Sequence, residues 1–590
     1  MDTYIRVAHI DDLSEGNLVA ASVEGVELVV GNYNGTVTIF EGRCPHQGTL
    51  LAEGTITNGM LVCRAHGWCF NGVSGVHVEQ PNVCLRQFPA HIDSGHVMVH
   101  RDAVLAWKQT YRKEEDASVP QHHTLRSLHQ LPGPKRLPLV GNSLQINMQQ
   151  FHVVLEQWCN TYGPLYTFTI GTKPVVVIAD PELANTILRE RPESYRRLYT
   201  IEPVLREIGV NGVFSAEGDN WRRQRHLVMQ ALDTRHLRQF FPILVKVTQR
   251  LKQRWEHAAI DQSPVDVQKD LMRYTVDVTT NLAFGYDMNT LEQGSDVIQQ
   301  HLEQIFPVIS RRVFAPFPYW RYVKLPSDRA LDHAVVEIRK TISNLIAHSR
   351  QRLRQDPTLA QHPTNLLEAM LAARDDDAEQ FSEDEIFGNA FTMLLAGEDT
   401  TANTLAWALY FLFEHPDVQQ RLQAEVDTVL GAATLLHDLQ DARRLTYVDA
   451  VAHETMRLKP VAPILGFETN VEVEVGGLRI PRETSLILLT RPGVLRESTF
   501  PQAERFRPER WLGEQSSRQM AHHKAFMPFG AGPRLCPGRS LALLEMKTAL
   551  AMVGRNFDLA RVHQAEPVRE KFAFTMMPLN LVVRFSARRL

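Results

Sequence analysis

The sequence predicts two folds in series: a small all-β domain over residues 1–105 and a large, mainly α-helical domain with minor β-sheets over residues 129–590, joined by a linker at 106–128. Three observations carry that expectation. The first 105 residues alternate apolar and polar positions with Gly and Asn at the breaks, as in VEGVELVVGNYNG, TVTIFEG and GHVMVHR, which is the period-2 pattern of short strands. From LPGPKRLPLVGN onward, apolar residues recur at helical spacing, with strand-like interludes in TFTIGTKPVVVIA and NVEVEVGGLRI. At 590 residues the chain is longer than one hydrophobic core serves, so at least two domains are expected.

The joining segment, KQTYRKEEDASVPQHHTLRSLHQ, is polar and aperiodic, as linkers are. Residues 1–105 hold 11 Asp and Glu against 5 Lys and Arg, a net −6; the whole chain is −4, which leaves about +2 for the rest. With 44% hydrophobic and 22% charged residues the composition is that of a globular protein, and nothing in it points to nucleic acid or an anionic membrane as partner. No window has the ~18 uninterrupted apolar residues of a membrane span, and the acidic start MDTYIRVAHIDDLSEG is unlike a signal peptide, so a cytoplasmic location is expected. Six scattered cysteines make no disulfide framework and read as candidate metal ligands.

In the β domain, Cys44-Pro45-His46 is followed after sixteen residues by Cys63-Arg64-Ala65-His66. Each of two short loops thus offers one thiolate and one imidazole. A four-coordinate zinc site uses the same ligand types, although zinc motifs usually open with C-x(2–4)-C. The spacing and the surrounding glycines resemble the Rieske family, C-x-H-x(15–17)-C-x-x-H. That resemblance implies a [2Fe–2S] cluster, with Cys44 and Cys63 on one iron and His46 and His66 on the other. Thr49 and Ala65 stand where high-potential members carry a disulfide, which places the site with the ferredoxin branch. The remaining Cys69 and Cys84 read as small buried hydrophobes. His91, His96 and His100 invite a non-haem iron reading, but the strand-like GHVMVHR is the wrong setting for it.

Near the C-terminus, Phe529-Gly530-Ala531-Gly532-Pro533-Arg534-Leu535-Cys536-Pro537-Gly538 places one cysteine in a glycine-rich loop ahead of a helix. Such a loop brings backbone amides to the sulfur, and a helix N-terminus favours negative charge there. The pattern resembles the haem-binding loop of the cytochrome P450 family, F-x-x-G-x-R-x-C-x-G. By that resemblance Cys536 ligates haem b, Phe529, Gly532 and Gly538 shape the loop, and Arg534 meets a haem propionate.

Three further segments match the family in order. Ser382–Glu414 opens with a capping box, Ser382-x-x-Glu385, and ends at His415-Pro416, a helix of about 50 Å. In its middle lies Ala396-Gly397-Glu398-Asp399-Thr400-Thr401, where the family has an acid–alcohol pair. The resemblance assigns Asp399 and Thr400 to proton delivery and gives small Ala396 and Gly397 the task of leaving room over the haem; a mid-helix threonine equally often bonds back to the carbonyl one turn earlier. Glu454-x-x-Arg457 with Arg510 of Pro508-Glu509-Arg510 matches the family's structural triad. Trp221 and Arg225 match its W-x-x-x-R propionate contacts, leaving Arg222 and Arg223 free for docking or solvation.

The resemblance implies a monooxygenase that inserts one atom of O2 into a hydrophobic substrate, with electrons relayed by the fused cluster. No G-x-G-x-x-G follows a strand, so an external NAD(P)H-dependent flavoprotein reductase is the expected partner. The alternatives are a haem-thiolate peroxygenase or isomerase that needs no reductant, and a haem/iron–sulfur redox sensor. Pocket walls are expected around residues 199–214, 306–322 and 463–467.

Overall fold

The computed structural model describes the chain except for residues 1–3, 14–16, 34, 46–48, 58, 64–67, 79–82, 109–124, 233, 294–296, 316, 362, 373–380, 514–523, 563–565 and 589–590. It falls into two compact units, Met1–Thr124 and Leu125–Leu590.

Among the described residues the first unit holds ten short strands: β1 (Tyr4–His9), β2 (Leu18–Val23), β3 (Val26–Tyr33), β4 (Thr36–Glu41), β5 (Thr55–Thr57), β6 (Met60–Val62), β7 (Cys69–Asn71), β8 (Gln87–Phe88), β9 (Ala90–Asp93) and β10 (His96–His100). They form sheets ordered β1-β10-β9, β2-β3-β4-β8 and β5-β6-β7. Alternation decides the faces. Val97 and Val99 of β10 turn inward onto Leu28, Val30, Ile39 and Phe88, while His96 and His100 share the other face with the partner residues His9 and Tyr4. The histidine-rich segment is therefore a strand. A second small core gathers Tyr33, Phe40, Leu51, Leu61 and Phe70 around Cys44 and Cys63.

The second unit is mainly helical, with one large continuous core. Its principal sheet contains β11 (Leu165–Ile170), β12 (Lys173–Ile178), β13 (Tyr195–Arg197), β15 (Ile464–Thr469) and β18 (Ser485–Leu489), in the order β11-β12-β18-β15-β13. Smaller sheets use β14 (Val265–Asp266), β16 (Val473–Val475), β17 (Leu478–Ile480), β19 (Phe557–Arg561) and β22 (Val582–Ala587). A two-stranded hairpin, β20 (Arg569–Ala573) and β21 (Thr575–Leu579), turns at Phe574.

The longest helix, Glu383–Glu414, runs through this core. Its start is set by the capping box: the Glu385 amide donates to Ser382 Oγ (3.2 Å) and the Ser382 amide to Glu385 Oε2 (2.9 Å). Glu383, Asp384 and Glu385 in its first turn face the positive end of the helix dipole. It stops at His415, because Pro416 begins the next helix and cannot supply the amide a continuing helix needs.

Most of this helix is buried, and Ala396 is an exposed exception in its middle. Gly397 has a different task from the one expected. A Cβ there would lie 2.3 Å from Thr279 Oγ1 on the neighbouring Val267–Phe284 helix. Glycine at 397 therefore lets two helices touch, and Ala396 alone faces open space.

Candidate active site and metal centres

Cys44 and Cys63 are buried, 2% and 1% exposed, and share one apolar cluster. Their loops close identically. The Cys44 amide donates to Thr49 O and the Cys63 amide to Trp68 O, both at 2.8 Å. Two thiols held by matching loops against one core suit a two-iron cluster. His46 and His66 lie outside the described residues. The reading of Cys69 and Cys84 as buried is corrected: Cys69 is half-buried and Cys84 is exposed at the unit's surface.

In the second unit the Cys536 loop is shaped from both sides. The Cys536 amide donates to Phe529 O (2.9 Å). Gly532 takes φ +69°, and a Cβ there would stand 2.6 Å from Leu188 O, so its absence lets the loop seat on the Pro181–Arg189 helix. The sulfur sits just ahead of the Arg539–Asn556 helix. Burial pushes the Cys536 thiol up, while amide donors at Gly538 and Arg539 and the charge of Arg225 act against it. By surface area the residue is nonetheless exposed. A group that is both desolvated and accessible faces an internal opening. Gly538 serves as an amide donor; a Cβ there would clear the sulfur at 3.8 Å.

Around that loop gather four guanidinium groups. Arg225 donates to Leu535 O (2.5 Å), and Arg534 packs 4.5 Å over the Trp221 ring and donates to Ala216 O. Arg197 lies 3.7 Å over Phe214, and Arg191 lies 4.5 Å over Phe467. Burial, with mutual repulsion, lowers Arg191 to about 8 and Arg197 to about 9. Arg534 is lowered to about 10 chiefly by burial. Among the described residues Glu217 is the one carboxylate paired with them, 3.0 Å from Arg534 and 3.8 Å from Arg191. Among the described residues Arg191 Nε and Nη2, Arg534 Nε and Glu217 Oε2 are buried without a hydrogen-bond partner. Four cations facing one anion fit a group that brings two carboxylates, as haem does. Trp221, Arg225 and Arg534 carry the expected motif; Arg191, Arg197 and Glu217 carry none and were missed.

Arg222 and Arg223 are not free. Arg222 binds Asp219 (2.5 Å) and Glu193 (3.1 Å), and Arg223 pairs with Glu385 of the long helix. Glu454, Arg457 and Arg510 do come together. Arg457 Nε donates to Glu454 Oε2 (2.9 Å), Arg457 Nη2 to Oε1 (2.8 Å) and Arg510 Nε to Oε1 (2.9 Å). The Arg507 amide and Trp511 Nε1 complete the shell at 2.9 and 2.8 Å.

Asp399 and Thr400 point apart. Thr400 Oγ1 donates to Ala396 O (2.9 Å), the back-bonding arrangement. The Asp399 carboxylate, 2% exposed, accepts from Asn403 Nδ2 (2.8 Å) and from Thr575 Oγ1 of the hairpin. Burial pushes it up to about 6, against both hydrogen bonds. Next to Thr575 in sequence, Phe574 joins Phe214 and Phe306 in an aromatic cluster, its ring centred 6.2 Å from Phe214 and 5.8 Å from Phe306.

These features define a helical oxidoreductase with a cysteine-bearing haem loop, fused to an iron–sulfur β domain. The cytochrome P450 family model matches residues 131–585 and the Rieske [2Fe-2S] domain model residues 3–89. The chain belongs to the cytochrome P450 family and carries an N-terminal Rieske domain, so its cofactors are a cysteine-ligated haem and a [2Fe–2S] cluster. It is similar to LUTEIN DEFICIENT 5, chloroplastic, of Arabidopsis thaliana, 27% identical over 450 residues that cover 74% of each chain. It is similar also to cytochrome P450 3A12 of Canis lupus familiaris, 28% identical over 76% of this chain and 88% of that one. A self-sufficient cytochrome P450 monooxygenase of Aspergillus niger is 26% identical over 79% of this chain and 44% of its own length. Among the described residues no helix is long and apolar enough to cross a membrane.

Proposed function

We propose that this monooxygenase takes electrons from an external NAD(P)H-dependent flavoprotein reductase and passes them through a cluster held by Cys44, His46, Cys63 and His66 to a haem held by Cys536. One atom of O2 is then inserted into a hydrophobic substrate. The observation that carries this reading is the Cys536 sulfur, desolvated, supplied with two amide donors and ringed by arginines whose buried N–H groups are only partly satisfied by Glu217. When bound, the haem supplies activation of O2, and the thiolate donates electron density to it.

The chain's own residues do the rest. The Gly538 and Arg539 amides and Arg225 oppose the effect of burial on Cys536 and so favour the thiolate that the bound iron would require. Arg197, Arg225 and Arg534 orient the cofactor through its carboxylates. Thr400 spends its hydroxyl proton on Ala396 O, so its lone pairs are left to accept a proton donor from the opening. Asp399, poised at about 6, takes up and releases a proton near neutral pH. Phe214, Phe306 and Phe574 give the substrate an apolar wall.

On the sequence reading of residues 106–128 as a linker, having both metal domains in one chain would give a roughly millimolar effective concentration. The proposed seat of the enzyme is the cytoplasm. The experiment is spectroscopic. Reduced protein under carbon monoxide is expected to absorb at about 450 nm, and its EPR spectrum to show a rhombic signal averaging about g = 1.9. A band at about 420 nm or a missing cluster signal would remove the assigned ligands. Photoreduced Thr400→Ala protein under O2 is expected to release more hydrogen peroxide than the parent; an unchanged yield sinks the proton-delivery role.

A further inference from the structure

The β20–β21 hairpin bears on both the proton group and the aromatic wall, through two adjacent residues at its turn. Thr575 donates its hydroxyl to the Asp399 carboxylate. Phe574, immediately before it, stacks on Phe306 with ring centres 5.8 Å apart and an interplanar angle of 24°. Phe574 also holds φ +77°, the left-handed region that a bulky side chain occupies only when its surroundings compel it.

The base of the hairpin is pinned elsewhere. Glu570 of β20, at the end remote from the turn, accepts from Arg491 (2.7 and 3.1 Å), from Lys459 (2.5 Å) and bonds His152 (2.8 Å), and nearer the turn the Met576 amide donates to Val461 O (2.8 Å), which confines the unanchored stretch to Phe574 and Thr575. An anchored base concentrates any displacement at the turn. The turn itself is held by the stacking of Phe574 and the hydrogen bond of Thr575, and it carries the backbone strain of Phe574.

We propose that this turn couples filling of the substrate pocket to release of Asp399, with Phe574 sensing the occupant and Thr575 holding the carboxylate until Phe574 moves. This rests on the reading of Asp399 as a proton carrier. In the closed arrangement Asp399 is committed to Thr575 and Asn403 and turned away from Thr400. When an apolar occupant displaces the Phe574 ring, Thr575 moves with it, and the carboxyl is free to turn and to exchange its proton. Thr575 is a positioning residue; it touches neither substrate nor cofactor.

The group it controls is electrostatically simple. Burial raises Asp399, Thr575 and Asn403 lower it, and no charged side chain contributes a resolved effect. Loss of the Thr575 hydroxyl therefore leaves burial less opposed.

The test is an infrared pH titration of the haem-loaded full chain, following the carboxylic-acid band that Asp399→Asn abolishes. In Thr575→Val the midpoint of that band is expected to move up by about one pH unit, a tenfold change in protonation. Thr575→Ser, which keeps the hydroxyl, is expected to restore the parent midpoint. Phe574→Gly relaxes the turn without touching Asp399 and is expected to give part of the same upward shift.

An unmoved midpoint in Thr575→Val overturns the hold on Asp399, and a shift there with none in Phe574→Gly overturns the coupling. Should Thr575→Val fail to fold, Phe574→Gly decides alone, since a merely structural turn would lower its melting temperature and leave the band in place. The titration requires no turnover. Peroxide release from Thr400→Ala separately decides the proton-delivery reading on which the coupling stands.

Discussion

Two buried charge clusters in the haem domain use the same residue types in opposite ways. Around Glu454 one carboxylate receives five donors, and the spare N–H groups of Arg457 and Arg510 end on the carbonyls of Val494, Ala503, Arg505, Pro501 and Gln502. That cluster is complete within the protein. Around Cys536 Arg191, Arg197 and Arg534 share Glu217, Arg225 ends on Leu535 O, and several buried polar atoms find nothing. A buried polar group without a partner is costly, so natural proteins leave one where a ligand completes it. A saturated cluster holds the fold; an unsaturated one waits for the cofactor.

The largest expected effect breaks the saturated side. Glu454→Ala strands Arg457 and Arg510 without their anion and is expected to cost about 3–5 kcal/mol, lowering the melting temperature of the protein equally with and without haem. A loss seen only in the haem-loaded form would erase the distinction between the clusters.

Next comes a buried acid with no cation beside it. Burial raises Glu545 from 4.5 to about 8, opposed by a hydrogen bond to Thr401. Its folded pKa lies above its unfolded one, so the stability it contributes is present below about pH 4.5 and lost as pH rises towards 8. Glu545→Gln is expected to be stabilising by a gap that widens over that window, reaching a few kcal/mol. Denaturant midpoints measured across it check the prediction; a gap that narrows with rising pH contradicts it.

On the unsaturated side, Arg534→Gln and Arg197→Gln are each expected to weaken haem binding by about 1.5–3 kcal/mol, the worth of a charge-assisted hydrogen bond. Haem-free protein should be no less stable than the parent, because removing one crowded cation relieves its neighbours. Haem transfer to a scavenger globin reads the first effect and calorimetry the second. The smallest effect lies at the surface: Arg222→Ala, which breaks exposed pairs to Asp219 and Glu193, is expected to change stability by at most about 1 kcal/mol.

Legibility followed distance along the chain. The long helix could be read from Ser382-x-x-Glu385 at one end and His415-Pro416 at the other, since both signals act within a turn or two. The cysteine loops and the E-x-x-R pair were legible for the same reason. Local sequence is ambiguous where one residue type serves two contexts. Gly397 reads as room for a ligand, yet it accommodates Thr279, and Arg222 and Arg223 read as spare charge, yet both are paired.

The sequence by itself determined the class of chemistry: its cysteine and histidine loops mark two families, and with them a haem and a [2Fe–2S] cluster in one chain. Those are short-range patterns, and ligand type with spacing limits what each loop binds. Only the tertiary structure decided what surrounds them. Thr575 reaches Asp399 across 176 positions and Glu217 reaches Arg534 across 317, separations at which no spacing rule operates. What joins such pairs is burial, which brings remote segments together and then requires each polar atom to find a partner there.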